Sequence, residues 1–177
     1  MARVFFALQP DSVTRRELAH RRPSGRGAGR PVPEDNLHVT LAFLGAIDEA
    51  AVTRARNAAA RVAAVGFSLC FNEVAVWRSG VCVALPETVP EAATALRGQL
   101  AGLLREVQVP FDQRIWRPHV TLARRARSGG GRLADPVTAG FDAFVLMQSL
   151  PQPEGVRYTV LDRWVLDPHQ VGQGWEG

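Results

Sequence analysis

Apolar and polar positions alternate along this chain in two different periods, and together they predict a mixed fold. Residues 3–9 form an apolar, aromatic-rich run that ends at Pro10-Asp11-Ser12, which predicts a central strand followed by a helix capped by Asp11 or Ser12 and running to about His20. The stretch Leu37-His38-Val39-Thr40-Leu41 alternates strictly, the period of a half-buried strand, and Gly45 is expected to end it. Asp48 can cap a helix reaching about Val65, because Val52, Ala55, Ala59 and Val62 recur at helical spacing while Arg54, Asn57 and Arg61 take the other side. Residues 67–77 and 81–85 flank Arg78-Ser79-Gly80 and predict a hairpin. Pro90 suits the first turn of a helix that presents Ala93, Leu96, Leu100, Leu103 and Val107 on one face. A second alternating strand follows at Pro118-His119-Val120-Thr121-Leu122, and residues 141–150 and 157–166 form a last strand pair joined by a turn at 151–155. The tail from Asp167 is expected to be loose.

Helices interleave with strands, yet the hairpins demand antiparallel pairing, so the pattern favours an α+β fold with two sheets over a doubly wound one. One repeat organises it. His38-Val39-Thr40-Leu41-Ala42 returns as His119-Val120-Thr121-Leu122-Ala123. By parity Leu37, Val39 and Leu41 face a core, while His38 and Thr40 share the opposite face with Ala42, a residue small enough to leave room for a ligand. His119, Thr121 and Ala123 do the same in the second copy. Residues 1–177 are therefore expected to form a single domain of two pseudo-symmetric antiparallel-sheet lobes, with outer helices and one motif strand in each lobe, around a central cleft.

Length and composition permit this. A chain of 177 residues, 46% hydrophobic, can bury a sizeable core. It shows neither an apolar run of membrane-spanning length nor a signal-peptide core, so a cytoplasmic protein with no membrane partner is expected. Cys70 and Cys82 fall in neighbouring predicted strands, where a tight turn would set Cys82 opposite a residue near Val76, so two reduced thiols are expected. The net charge is +4, and every basic residue is arginine. Arginine's planar fork suits phosphate, and a positive surface attracts polyanions. Two loops concentrate that charge: residues 21–33, with Gly25, Gly27 and Gly29, and residues 124–132, with Gly129, Gly130 and Gly131. Both are expected to be mobile.

Two imidazoles and two hydroxyls converging on a cleft allow one histidine to act as a base and the other, protonated, as an acid. Threonine hydroxyls can donate to oxygens that gain negative charge. Such a near-symmetric site points to in-line phosphoryl chemistry without a metal. Threonine is a poor zinc ligand, and neither motif contains a cysteine or carboxylate, so no metal is expected. There is no nucleophile elbow, phosphate-binding loop or dinucleotide fingerprint. His20 and His169 read as surface residues.

These residues resemble the 2H phosphoesterases, and among them the RNA 2′,3′-cyclic phosphodiesterases once called 2′-5′ RNA ligases. The likeness runs from Arg3-Val4-Phe5-Phe6-Ala7-Leu8 through Asn36 to Gly45 and Arg117 to Arg124, and on to Gln148-Ser149-Leu150 and Tyr158-x-x-Leu161-x-x-Trp164. It implies a bilobal α+β fold, no cofactor, and hydrolysis of a terminal 2′,3′-cyclic phosphate to a 2′-phosphate. It also implies His38 as proton donor to the leaving 3′ oxygen, His119 as the base acting on water, and Thr40 and Thr121 as phosphate-binding residues. Phe43 matches a base-contacting position and Arg124 a phosphate-contacting one. In regular strands both would point away from the histidine face, so their participation requires each strand to bend. Where the family commonly carries an aromatic residue before the first motif, this chain has Arg30-Pro31-Val32-Pro33. RNA ends or small cyclic nucleotides are the expected partners of a monomeric enzyme. The alternatives are 2′-5′ ligation of RNA ends at the same site, or an RNA-binding module without catalysis.

Overall fold

The computed structural model describes residues 2–168. Nine strands and three helices follow one another as β1 (Ala2–Leu8), α1 (Ser12–His20), β2 (Arg30–Pro31), β3 (Val39–Ile47), α2 (Glu49–Ala59), β4 (Phe67–Val76), β5 (Val81–Pro86), α3 (Glu91–Glu106), β6 (Val120–Arg124), β7 (Gly131–Phe141), β8 (Ala143–Gln152) and β9 (Gly155–Val165). A single 3₁₀ turn, Glu34–Asn36, lies between β2 and β3. The α+β class is as expected, and no described helix is long and apolar enough to cross a membrane.

The two expected sheets are joined into one, in the order β7-β4-β5-β6-β3-β1-β8-β9, with β2 alongside β6. Its halves mirror each other. Each has a motif strand, β3 or β6, at the inner edge, then the strand that precedes it across a helix, β1 or β5, then two further strands. The halves meet where β3 and β6 pair antiparallel at Val39 and Val120. Both valines are fully buried in the main core, together with Phe6, Leu8, Phe71, Leu96 and Leu104. A smaller cluster of Phe5, Ala7, Val145 and Met147 lies on the opposite face of the first half, with Phe43 and Tyr158 packed against it.

The helices follow their caps. Asp11 and Asp48 each accept a hydrogen bond from the backbone N–H three residues on, at 2.7 Å in both cases, which satisfies one of the orphan donors of the first turn. α2 stops at Ala59 rather than near Val65, and Val62 is left only partly buried. α3 buries Ala93, Leu96 and Leu100 as expected, with Leu104 more deeply placed than Leu103 or Val107. Cys82 stands opposite Val76, and both cysteines are free thiols.

Several expectations are corrected. β3 does not end at Gly45 but passes through it to Ile47, because the glycine takes a φ of 76° at an irregularity in the pairing with β1. β7 was not foreseen. It is an edge strand on β4 that buries only Val137, Ala139 and Phe141 and contains Pro136, so it carries little alternation. Asp167 is held rather than loose, since its N–H donates to Ala64 O at 2.9 Å and its carbonyl accepts from Gly66 N at 2.8 Å. His169 and the remaining tail lie outside the described residues.

The two arginine-rich loops are docked on each other instead of moving freely. Arg30 pairs with Arg124 and Pro31 with Ala123, and Val32 N–H donates to Leu122 O at 2.9 Å. Gly27 O accepts from Arg127 N and Ser128 N at 2.8 and 3.2 Å. Gly29 sits so close to this partner, at a φ of 82°, that a Cβ would lie 2.5 Å from Arg124 O. Gly25 also has a positive φ, of 85°, but open space around it. Replacing Gly29 by alanine is therefore expected to destabilise the fold by about 2 kcal/mol or more beyond Gly25→Ala, which carries the backbone cost alone. Urea unfolding midpoints check this; equal losses would mean that the loops are not packed as described.

Candidate active site

Each motif strand is broken by a β-bulge at the same place. In the pairing of β1 with β3, Ala7 is opposite Thr40 and Phe6 is opposite Ala42, so Leu41 is the extra residue. In the pairing of β5 with β6, Val83 is opposite Thr121 and Cys82 is opposite Ala123, so Leu122 is the extra residue. A bulge lets two successive side chains point the same way and shifts the parity of everything beyond it. Leu41 and Ala42 both enter the main core, as do Leu122 and Ala123. The expected alanine beside each histidine is thus corrected. Instead Phe43, opposite Phe5, and Arg124, opposite Val81, return to the face that holds the threonines.

The pairing of Val39 with Val120 fixes the rest. Because both valines turn into the core, His38, Thr40, His119 and Thr121 project from the other face, with His38 level with Thr121 and Thr40 level with His119. The sequence-predicted residues His38, Thr40, His119, Thr121, Phe43 and Arg124 are thereby brought onto one face from two strands far apart in the chain. His20 stands apart and exposed at the end of α1.

Both rings are held in the same tautomer. His38 Nδ1 donates to Asn36 O at 2.7 Å, and His119 Nδ1 donates to Arg117 O at 2.7 Å. With its hydrogen on Nδ1, a neutral ring presents the lone pair of Nε2 outward. In His38 that atom lies 3.0 Å from Thr40 Oγ1, whose hydroxyl donates to it while the ring is neutral. Burial is the main force on both rings and favours their neutral forms. It pushes His38 down from 6.5 to about 4, against the opposing effect of the Asn36 carbonyl and with help from the charges of His119 and Arg124. His119 is lowered too, again by burial first, with the Arg117 carbonyl opposing and the Arg117 and Arg124 charges adding. Arg124 therefore acts on both imidazoles.

The sequence reading gave no role to the groups that wall these rings. Phe5 lies 4.8 Å from the His38 ring centroid, and Tyr158 meets His38 edge-on at 5.2 Å. Trp77, at the end of the β4 hairpin arm, meets His119 at 4.7 Å, and Arg117 lies over the same indole at 5.4 Å. Asn36 is the other omission. It is a buried polar residue whose Nδ2 donates to Val156 O at 2.6 Å and whose Oδ1 accepts from Tyr158 N at 3.1 Å, so it ties β9 to the residue that orients His38. An asparagine two positions before a motif histidine was the available signal. Phe43 lies under the guanidinium of Arg3, 5.2 Å from its ring centroid. Among the described residues, no cluster of three histidine, cysteine or acidic side chains is placed to hold a metal ion.

A family model described as LigT like phosphoesterase matches residues 9–82. The RNA 2′,3′-cyclic phosphodiesterase of Escherichia coli K12 is 32% identical over 176 residues, which is 93% of this chain and 96% of that protein. The chain belongs to the LigT-like phosphoesterase family. The RNA 2′,3′-cyclic phosphodiesterase of Thermus thermophilus is likewise 32% identical, over 77% of this chain and 75% of that protein. Among solved structures, a phosphoesterase superposes with a TM-score of 0.87 at 30% identity, covering 94% of this chain and 98% of the other. E. coli LigT in complex with 3′-AMP gives 0.86 at 30% identity, over 93% and 98%. The resemblance drawn from the two motifs is thereby supported over nearly the whole phosphoesterase chain.

The burial of both rings sets a direct expectation. In an NMR titration, the two motif imidazoles should ionise below 6.5, with His38 the lower at about 4. Titration of His38 at or above 6.5 would contradict the environment described.

Proposed function

We propose that this phosphoesterase hydrolyses the 2′,3′-cyclic phosphate of RNA ends or small cyclic nucleotides to a 2′-phosphate, with the two motif histidines as general acid and base and without a metal. The observation that carries this reading is the antiparallel pair of Val39 and Val120, which sets two equivalent His–Thr pairs on one face of the sheet. The relatives' names supply the substrate class.

The chemistry balances within the site. His119 Nε2 takes a proton from water as its oxygen attacks phosphorus. The bond from phosphorus to the 3′ oxygen breaks in line, and His38 Nε2 delivers a proton to that oxygen, leaving a 3′-hydroxyl and a 2′-phosphate. This division of roles follows the family resemblance. Protonation of His38 has a second effect, since Nε2 no longer accepts from Thr40 Oγ1 and the hydroxyl hydrogen is released for a phosphate oxygen. Thr121 makes the matching contact from the other half, and Arg124 offsets the charge that builds on the phosphoryl oxygens. A phosphate anion between the rings also opposes the burial effect and favours the imidazolium that the donor role needs.

Replacing His38 or His119 by alanine should lower kcat about a hundredfold or more, with the product identified by phosphorus NMR of a dinucleotide bearing a 2′,3′-cyclic phosphate. Chelator should leave the wild-type rate unchanged; loss of activity with EDTA would remove the metal-free mechanism. The pH dependence of kcat/KM gives a further check. The productive form has one ring protonated and the other neutral, and its population peaks midway between the two ionisations. Because both lie below 6.5, the bell should centre below pH 6.5 whichever ring is the acid, falling as pH rises through the higher of the two values. An optimum at pH 7 or above would contradict it.

A further inference from the structure

The proposed chemistry uses only one arginine of the two docked loops, residues 21–33 and 124–132. These segments carry eight arginines and no carboxylate, whereas the rest of the chain sets thirteen arginines against seventeen aspartates and glutamates, a net charge of −4. The positive excess of the protein is therefore localised entirely in them. Of the eight, only Arg132 joins an ion pair among the described residues, with Glu87 at 3.0 Å. Arg26, Arg30, Arg124, Arg125 and Arg127 are exposed.

Their backbones are fixed rather than free to drift. Beyond the pairing of Arg30 with Arg124 and the bonds to Gly27 O, Ser128 Oγ donates to Arg26 O at 3.2 Å. The Arg30 guanidinium is anchored to Glu154 O, at 2.7 Å, in the turn between β8 and β9. Arg124 closes one end of this array on the histidine face, opposite Val81. Arginines carried on a fixed backbone lose less entropy on binding than arginines on a flexible tail. A mononucleotide has a single phosphate for the histidine site, so the outer guanidiniums gain partners only if further phosphates follow.

We propose that the interlocked loops form a rigid basic shelf that binds the phosphodiester backbone of single-stranded RNA leading into the histidine site, which makes strand ends, not free mononucleotides, the preferred ligand class. This rests on the cyclic-phosphate reading for what lies at the end of the strand. The shelf itself is tested by binding, which does not require turnover.

The probe is a 5′-fluorescein ribodecamer ending in a 2′-phosphate, followed by fluorescence anisotropy over a range of salt concentrations, with the matching mononucleotide as competitor. The decamer should bind at least about tenfold more tightly than the mononucleotide at low salt, and its association constant should fall with salt by about 0.7 logarithmic units per decade for each phosphate contacted. The variant R26A/R125A/R127A should lose about tenfold or more in decamer affinity and about two units of that slope. None of the three side chains makes a hydrogen bond among the described residues, and circular dichroism would show that the variant is folded. R16A/R54A/R105A removes the same charge elsewhere and should stay within about twofold of wild type. Unchanged decamer binding in the shelf variant, an equal loss in the control variant, or a decamer that binds no better than the mononucleotide would each overturn the shelf. Failure of the wild type to hydrolyse the cyclic-phosphate form would instead overturn the activity and leave the binding result standing.

Discussion

The site depends on one constraint, the antiparallel pair of Val39 and Val120. Two half-sheets built on the same plan meet there, and both valines are fully buried. Side chains flanking such a pair must leave by the opposite face. This one contact decides that His38, Thr40, His119 and Thr121 share one face, so a polar or bulky residue at either valine would disturb the candidate site without touching any of the four.

The bulges extend that constraint outward. A leucine is inserted at the same position of each copy, Leu41 in β3 and Leu122 in β6, and each sends two neighbouring apolar side chains into the core. The core gains Ala42 and Ala123, and the face of the histidines gains Phe43 and Arg124. Packing and the make-up of the candidate site thus depend on the same irregularity. The two halves then diverge in what surrounds the rings. His38 is enclosed by Phe5 and Tyr158 and steadied through Asn36, while His119 stands beside Trp77 and Arg117. A symmetric frame with unequal walls allows two chemically identical groups to ionise differently, which an acid–base pair requires.

Sequence reading reached the motif strands, the helices with one apolar face and the α+β class, because each rests on a periodic pattern that a core imposes. It could state that Phe43 and Arg124 needed a bent strand, but it could not see the bend. The alternation of Leu37, Val39 and Leu41 continues smoothly into the bulge, and only the partner strand reveals the extra residue. β7 escaped because an exposed edge strand need not alternate and Pro136 breaks what pattern there is. The arginine-rich loops looked mobile because glycine, proline and charge usually signal solvent. In the fold, the same glycines permit close backbone approach, as Gly29 does to Arg124. Long-range pairing of this kind leaves no local signature.

The most direct measurement is a crystal structure of the protein with a nucleoside 2′-phosphate in the cleft. The account predicts both Nε2 atoms within hydrogen-bonding distance, about 3.2 Å, of the 2′-phosphate or the 3′ oxygen, with both threonine hydroxyls and Arg124 on the same group. A phosphate held by one histidine alone, with the other ring turned into the protein interior, would contradict it.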